Sequence, residues 1–243
     1  MHELKSKFDE NYKNIISAQK SGKPQPAIQK PYPKNAKLIT LSKNDFKIKD
    51  ISLLEAIKNR KSRRKFTSEF LTLDELSFLL WATQGIKNEH NPQFRTVPSA
   101  GARHPLETYL AIYRVEGLKP GLYRYLPIEH KLYCMKVDEV IIDKVKQVIP
   151  EINPINFGLN TCSVTFLWTA IPYRTEWRYP KMGVKVIAQD AGHVCQNLYL
   201  AVEAIGGGIC AVDAYLQDAA DKMLGIDSTD EFTVYMAVVG KVS

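Results

Sequence analysis

Several stretches of the chain carry apolar residues at helical spacing. Residues 2–20 alternate such residues with charges, which predicts an amphipathic helix, and residues 53–57 form a short apolar face that Asp50 is expected to cap. Thr72 followed three residues later by Glu75 is a capping box, which predicts a helix running to Gly85. Two helices are therefore expected to flank residues 60–71.

A longer helix is predicted over residues 184–205, where apolar side chains occupy almost every face. Such a helix is buried inside a domain or in a subunit interface. On this pattern His193 is interpreted as a buried core histidine rather than a catalyst. The three glycines 206–208 suit a helix end followed by backbone conformations open mainly to glycine. Further helices are predicted from a cap at Asp138 to Val148, and over residues 216–224.

Segments rich in β-branched and aromatic residues predict strands between these helices. They cover residues 106–115, 122–126, 131–137, 161–171 and 232–239. Residues 161–171 are almost continuously apolar, which predicts a strand in the middle of a sheet and buried on both faces. Because the second and third strands follow each other like a hairpin, the fold class is predicted as α+β with a mixed sheet.

Charge divides the chain into two parts. The net charge is +7, but residues 1–49 hold eleven lysines against four acidic residues, whereas residues 50–243 hold twenty-two basic and twenty-two acidic residues. Four prolines between positions 22 and 33 predict an extended connector that wraps the domain or a second subunit. We therefore divide the chain into a basic, proline-containing N-terminal extension (1–49) and a globular domain (50–243).

The four cysteines form no C-x-x-C pair, so neither a zinc site nor a disulfide framework is predicted, and buried reduced thiols are expected. No apolar run reaches the roughly 18 residues that a membrane span needs, and the first twenty residues carry charges throughout. These features predict a cytoplasmic protein with no membrane partner and no metal.

The basic run at residues 59–66 is the first candidate for binding chemistry. Arg60 and Arg64, with the Ser62 hydroxyl between them, could hold a phosphate, since guanidinium groups match the geometry of its oxygens. A solvated surface or a nucleic-acid patch would give the same pattern. We interpret Lys61, Arg63 and Lys65 as solvated charges.

The loop at residues 97–105 is the second candidate. Between two prolines, Ser99 to Ala102 carry very small side chains, which would let the backbone approach a flat ligand closely. An ordinary tight turn would explain the same composition.

Taken together, these segments resemble the FMN-dependent nitroreductase superfamily, and within it the SagB/ThcOx-type dehydrogenases that include azoline oxidases. Four patterns carry the resemblance: R-x-S-x-R-x-F at 60–66, P-S-A-G-A-x-x-P at 98–105, D-A-G-H-x-x-Q-N-L-Y-L at 190–200, and the glycines at 206–208. The resemblance implies an α+β fold with a mixed, mainly antiparallel sheet flanked by helices and a long buried helix. It also implies an interleaved homodimer that binds FMN at its subunit interface.

The resemblance also implies roles for individual residues. Arg60 and Lys241 would contact the FMN phosphate, and Ser62 and Arg64 would reach the ribityl chain and the pyrimidine edge, where positive charge stabilises the reduced flavin. The remaining cofactor residues would come from the small-residue loop of the partner chain and from the segment after the long helix: Pro98, Ser99, Ala100, Gly101, Gly207, Gly208, Ala211 and Val212.

The catalytic candidates are Arg178 and Tyr179. They stand where the azoline oxidases that this chain resembles have a Lys-Tyr pair serving as the base. An arginine stays protonated at ordinary pH, so Arg178 is not expected to abstract a proton.

The function implied is that of an FMN-dependent oxidoreductase transferring hydride between NAD(P)H or an organic substrate and an electron-poor acceptor or oxygen. Dehydrogenation of a modified peptide, as in azoline oxidases, is one alternative. A non-enzymatic flavin-binding protein is another, as is an RNA-binding protein that uses the basic arm. Because residues 50–243 are neutral and contain no recognised RNA module, nucleic acid is not the expected partner.

Overall fold

A seven-stranded sheet forms the centre of the molecule. The computed structural model describes residues 12, 14–43, 45–150 and 157–243. The strands lie in the order β1-β4-β3-β2-β5-β7-β6, and each neighbouring pair is antiparallel. They are β1 (Lys37–Thr40), β2 (Leu106–Ile112), β3 (Gly121–Leu126), β4 (Lys131–Val137), β5 (Val164–Ala170), β6 (Gly207–Val212) and β7 (Phe232–Lys241).

Six α-helices within the described residues surround the sheet. They are α1 (Leu53–Asn59), α2 (Leu73–Gln84), α3 (Ile141–Val148), α4 (Tyr173–Glu176), α5 (Gly183–Ala204) and α6 (Gln217–Leu224). The predicted α+β class and the long helix are confirmed. Parallel pairing is confined to isolated bridges, such as Ser62 with Ile209, so the described strands form a purely antiparallel sheet rather than a mixed one.

Each face of the sheet is covered by helices. Phe166 and Trp168 of β5 belong to a core with residues of α2 and α5, whereas Leu167 between them belongs to a second core with residues of α3 and α6. This alternation follows from the two-residue period of a strand. As predicted, β5 is fully buried and lies in the interior of the sheet, between β2 and β7.

The helix starts agree only in part with the sequence predictions. The capping box of α2 is present: Thr72 Oγ1 accepts the Glu75 N–H (3.1 Å), and Glu75 Oε2 accepts the Thr72 N–H (2.9 Å). The predicted cap of α1 at Asp50 is wrong, because Ser52 accepts the Glu55 N–H instead.

The predicted cap at Asp138 is also wrong. The N-cap residue of α3 is Val140, which makes no capping bond through its side chain. Asp138 Oδ1 instead accepts the Val140 N–H (3.3 Å), and its carboxylate pairs with Lys144. The backbone angles, and not the residue type, set where α3 begins, so Asp138 bonds the Val140 N–H without being the N-cap.

Apolar surface is left open on α1 and along α5. Leu53, Leu54 and Ile57 of α1 are 67%, 61% and 56% exposed, so the apolar face predicted for this helix does not pack on the part of the chain that the structure describes. In α5, Val184 and the small residues that follow it at four-residue spacing, Ala188 and Gly192, are also exposed. They line one wall of a groove of about 780 Å³ against β7 and the chain after β6.

Residues 23–33, which we call the strap, run as extended chain against the sheet. Arg95 and Arg124, both almost fully buried, donate to strap carbonyls at 2.8 and 3.0 Å. The Lys30 N–H donates to the buried Glu107 carboxylate (2.7 Å). The prediction of a connector that wraps the domain is confirmed for this chain's own domain.

The chain then enters β1 at the sheet edge, a strand that the sequence reading missed. Most of the helix predicted over residues 2–20 lies outside the described residues.

Two smaller expectations can also be checked. All four cysteines are free thiols, but Cys134 is only half-buried, so the expectation of burial is wrong for it. Among the described residues, no helix combines the length and apolar character needed to cross a membrane.

Candidate active site

The R-x-S-x-R segment lies along the open edge of β6. Ser62 forms a parallel bridge with Ile209, and the Arg63 N–H donates to the Ile209 carbonyl (2.8 Å). Because β6 is the last strand of the sheet, this segment covers backbone groups that no other strand pairs. Side chains alternate along an extended segment, so Arg60, Ser62 and Arg64 share one side of it.

Tyr199 of α5 holds this segment in place. Its hydroxyl lies 2.8 Å from Ser62 Oγ and accepts the Ala211 N–H (3.0 Å), while the Arg60 guanidinium lies 5.4 Å from the centre of its ring. Tyr199 is only 8% exposed. The sequence reading treated it as part of a packing helix, and its place within the Q-N-L-Y-L pattern was the signal that could have marked it.

Arg63 is not a solvated charge, and that prediction is wrong. Its guanidinium pairs with Glu203 at 2.5 and 3.3 Å, and the two side chains are 20% and 7% exposed. The segment also packs closely on β6, since a Cβ at Gly208 would lie 3.0 Å from the Arg63 Cβ. Lys61 and Lys65 are exposed, as predicted.

Arg60 and Arg64 form no ion pair with any carboxylate of the described residues. Burial raises the pKa of the neighbouring Cys210 thiol, and the Arg64 guanidinium opposes that shift. Two uncompensated guanidinium groups and a hydroxyl on one side of an extended segment form a donor set that suits phosphate and carbonyl oxygens. These residues therefore fit the phosphate and pyrimidine groups of FMN.

Lys241, at the end of β7, is already bonded within the chain. Its ammonium group donates to Glu75 Oε1 (2.6 Å) and to the Ile205 carbonyl (2.8 Å). Its assignment to the FMN phosphate remains a prediction, and phosphate would have to compete with Glu75. Gly207 and Gly208 belong to β6 and have no positive φ, whereas Gly206 does (+60°), so only the first of the three glycines needs glycine-type backbone angles.

The small-residue loop is held by Asp190 of α5. Ser99 Oγ donates to Asp190 Oδ2 (2.6 Å) and accepts the His104 N–H (2.9 Å). The backbone then makes a 3₁₀ turn over Ala100–Ala102, in which Gly101 has a φ of +59°. Pro98 is exposed just before it.

Arg178 and Tyr179 lie directly against this loop. A Cβ built on Gly101 would be 2.6 Å from Tyr179 Oη and 3.0 Å from Arg178 Cδ, so a larger residue at this position would force the pair to shift. The Arg178 guanidinium lies 5.5 Å from the centre of the Tyr179 ring. The structure thus brings together two sets of residues that were predicted separately.

His193 is not a core histidine, and that interpretation is wrong. Its side chain is 49% exposed, with Nδ1 4.0 Å from Asp190 Oδ1. Burial raises the pKa of Asp190, although the hydrogen bond from Ser99 works in the opposite direction.

The two groups of candidate residues lie far apart on one chain. The loop group is bonded to Asp190, and the basic segment is bonded to Tyr199, nine residues further along α5. Nine residues advance a helix by about 13 Å and turn it by two and a half turns. The two groups therefore lie on opposite sides of α5 and do not form a single site within one chain.

Comparison with known proteins identifies the family. The pattern of the Nitroreductase family matches residues 57–241. The chain belongs to the nitroreductase family. A candidate nitroreductase of Methanocaldococcus jannaschii is 32% identical over 198 residues, which are 80% of this chain and 93% of that protein. Membership of this family makes the chain an oxidoreductase, the class of enzyme predicted from its sequence.

A second relative is the trifolitoxin-processing protein TfxB of Rhizobium leguminosarum bv. trifolii. It is 26% identical over 153 residues, 61% of this chain but only 35% of that protein. This similarity agrees with the resemblance to SagB-type members of the nitroreductase family.

Two solved structures share the nitroreductase fold. A candidate nitroreductase from Ralstonia eutropha JMP134 superposes with a TM-score of 0.70 at 23% identity, covering 90% of this chain and 96% of that one. A chain of the Escherichia coli microcin synthetase McbBCD, solved with truncated pro-MccB17 bound, gives a TM-score of 0.64 at 16% identity, covering 94% and 88%.

Proposed function

We propose that this chain is an FMN-dependent oxidoreductase that works as a homodimer. The observation that carries the proposal is the pair of uncompensated arginines, Arg60 and Arg64, held with Ser62 beside the edge of β6 in a member of the nitroreductase family. When bound, FMN would supply hydride transfer between NAD(P)H or an organic substrate and an electron-poor acceptor or oxygen.

The chain's own residues would bind and orient the cofactor. Arg60 would contact the phosphate, while Ser62 and Arg64 would bond the ribityl chain and the pyrimidine edge. Tyr199 would keep Arg60 and Ser62 in position, since it already contacts both. Because these contacts exist in the protein alone, the site would be pre-organised and little side-chain entropy would be lost on binding.

A second copy of the chain would complete each site. The 99–101 loop and the 60–64 segment lie on opposite sides of α5, so one chain would offer its loop to the FMN bound by its partner. The exposed apolar residues of α1 and the groove along α5 would be covered in the same contact, since they are large uncovered apolar surfaces.

A modified peptide is the second candidate substrate. Two proteins similar to this chain bear names that refer to peptide products, trifolitoxin processing and microcin synthetase. Incubation of the FMN-loaded protein with a thiazoline-containing peptide, followed by mass spectrometry, would show a loss of 2 Da if this proposal is right.

Flavin binding is tested with two matched variants. The purified protein should show flavin absorbance after incubation with FMN. Arg60→Ala should raise the Kd for FMN by about tenfold or more, as expected for a charge-assisted hydrogen bond, whereas Lys61→Ala should change it less than twofold. Absence of flavin binding, or equal effects of the two variants, would reject the proposed site.

The dimer is tested on the α5 groove. Ala188→Arg places a long charged side chain on an exposed helical position, where a single chain would tolerate it. Analytical ultracentrifugation should show a dimer for the natural protein and a monomer for this variant. A monomeric natural protein with full FMN affinity would contradict the shared site.

A further inference from the structure

Arg103 and Arg178 form a pair of positive charges beside the small-residue loop. Arg103 is 5% exposed, donates through Nε to the Gly101 carbonyl (2.9 Å) and lies 5.1 Å from the Trp177 ring centre. Burial lowers the pKa of Arg103, and the nearby Arg178 charge lowers it further. Arg178 is exposed, and two like charges held close together, one of them buried, favour the binding of an anion beside them.

No carboxylate of the described residues pairs with either arginine. Asp190, which is bonded to the same loop, is directed to Ser99 instead. Arg174 and Arg63, by contrast, pair with Glu107 and Glu203. Arg103 is therefore a buried guanidinium that has a hydrogen bond and a ring contact but no counter-charge among the described residues, and an anion bound nearby would supply that counter-charge.

A pocket of about 370 Å³ opens beside Arg178. Residues 178–180 form one wall, and the other is formed by Tyr12, Ile15, Ser17, Gln19 and Lys20. Its described lining contains two basic side chains, Arg178 and Lys20, two tyrosines and no acidic residue. Arg178 also packs close to Gly101, so this arginine borders both the pocket and the loop.

We propose that Arg178, supported by Arg103 and Lys20, binds an acidic group of the substrate, a carboxylate or a phosphate, in this pocket. The position that resembles a catalytic lysine would thus serve to bind the substrate rather than to move a proton. A guanidinium stays charged and presents paired N–H donors, which match either acidic group. This inference rests on the proposed function, because the reacting end of the substrate must face the flavin while its acidic group lies in this pocket.

The test compares charged and neutral substrates that are otherwise alike. With FMN-loaded protein, kcat/KM is measured for 4-nitrobenzoate against methyl 4-nitrobenzoate, and for NADPH against NADH, in the natural protein, Arg178→Gln and Arg178→Lys. Lys181→Gln serves as the matched control, since it removes an exposed charge three residues away. Binding of 4-nitrobenzoate is also measured by calorimetry, which needs no turnover.

We expect Arg178→Gln to reduce one of two quantities by about tenfold or more: kcat/KM for 4-nitrobenzoate, or the preference for NADPH over NADH. The reduction should come from a higher KM, because a hydrogen bond between two charged groups is lost. The neutral ester should change less than twofold, and Arg178→Lys should recover part of the loss. A response in the first pair identifies a carboxylate, and a response in the second identifies a phosphate.

Equal changes for charged and neutral partners in both pairs, with calorimetric binding intact, would overturn the proposal. A protein that fails to bind FMN would instead reject the proposed function. In that case, the calorimetric affinity for 4-nitrobenzoate, compared between Arg178→Gln and Lys181→Gln, would still show whether Arg178 binds an acidic group.

Discussion

The Arg63–Glu203 ion pair offers the sharpest test of how the basic segment is built. The guanidinium and the carboxylate are joined by two contacts of 2.5 and 3.3 Å, and neither side chain is more than 20% exposed. The perturbation is a double-mutant cycle in which each residue is replaced by alanine, singly and together.

The exposures set the expected magnitudes. In Arg63→Ala, the Glu203 carboxylate is left unpaired at 7% exposure, so we expect the free energy of unfolding to fall by about 2–3 kcal/mol. In Glu203→Ala, the guanidinium at 20% exposure can regain part of its hydration, so we expect a smaller loss of about 1–2 kcal/mol. The double variant leaves neither charge unpaired, which predicts a coupling energy of about 1 kcal/mol.

Urea unfolding followed by far-UV circular dichroism at pH 7 measures all four proteins, and Lys61→Ala serves as the control because Lys61 is exposed. The control should stay within about 0.5 kcal/mol of the natural protein. A coupling energy below about 0.5 kcal/mol, or a larger loss for Glu203→Ala than for Arg63→Ala, would refute this account of the segment.

Two further predictions concern the loop before β2. Gly101→Ala should lower the free energy of unfolding by about 2–4 kcal/mol, since it adds a clash with Tyr179 to the cost of a positive φ. Gly225 has a similar φ but open space around it, so Gly225→Ala should lower the free energy of unfolding by only about 1–2 kcal/mol in the same urea experiment. Equal losses in the two variants would argue against the contact between Gly101 and Tyr179. Burial lowers the pKa of His104 to about 3, so its contribution is complete above pH 6.5 and is lost as the pH falls towards 3. Between pH 7 and pH 5, the free energy of unfolding should fall by about 2 kcal/mol more in the natural protein than in His104→Asn. Asparagine is chosen because it tolerates the φ of +47° at this position. Parallel pH profiles of the two proteins would contradict the burial of a neutral imidazole.

Local sequence signals predicted the elements but not the pairing between them. The capping box at Thr72 and the apolar run of β5 were read correctly, because both signals lie within a few consecutive residues. The edge strand β1 was missed, since four residues with no full alternation give a weak pattern. The cap of α1 fell on Ser52 rather than Asp50, because both residue types cap helices and only the backbone angles distinguish them.

In the candidate site, too, the sequence did not predict which distant residues pair. The sequence singled out Arg60 and Arg64 through guanidinium chemistry and a family resemblance, but it could not reveal that Glu203, 140 positions away, pairs with Arg63. Tyr199 was assigned to packing, because a tyrosine on an apolar helix gives no sign of what its hydroxyl contacts. Exposure of His193 depended on which side of α5 remained uncovered, a property of the assembled fold.

Because of the strap, the region that matches the family is shorter than the region that folds together. The family pattern begins at residue 57, yet Arg95, Arg124 and Glu107 are buried against backbone groups of residues 28–30. A fragment of residues 57–241 would keep the pairing of Glu107 with Arg174, but each of the three buried charged groups would lose the hydrogen bond that it makes to the strap. We therefore expect the region that matches the family to fold less stably when it is separated from the strap, so the strap should be counted as part of the folding unit.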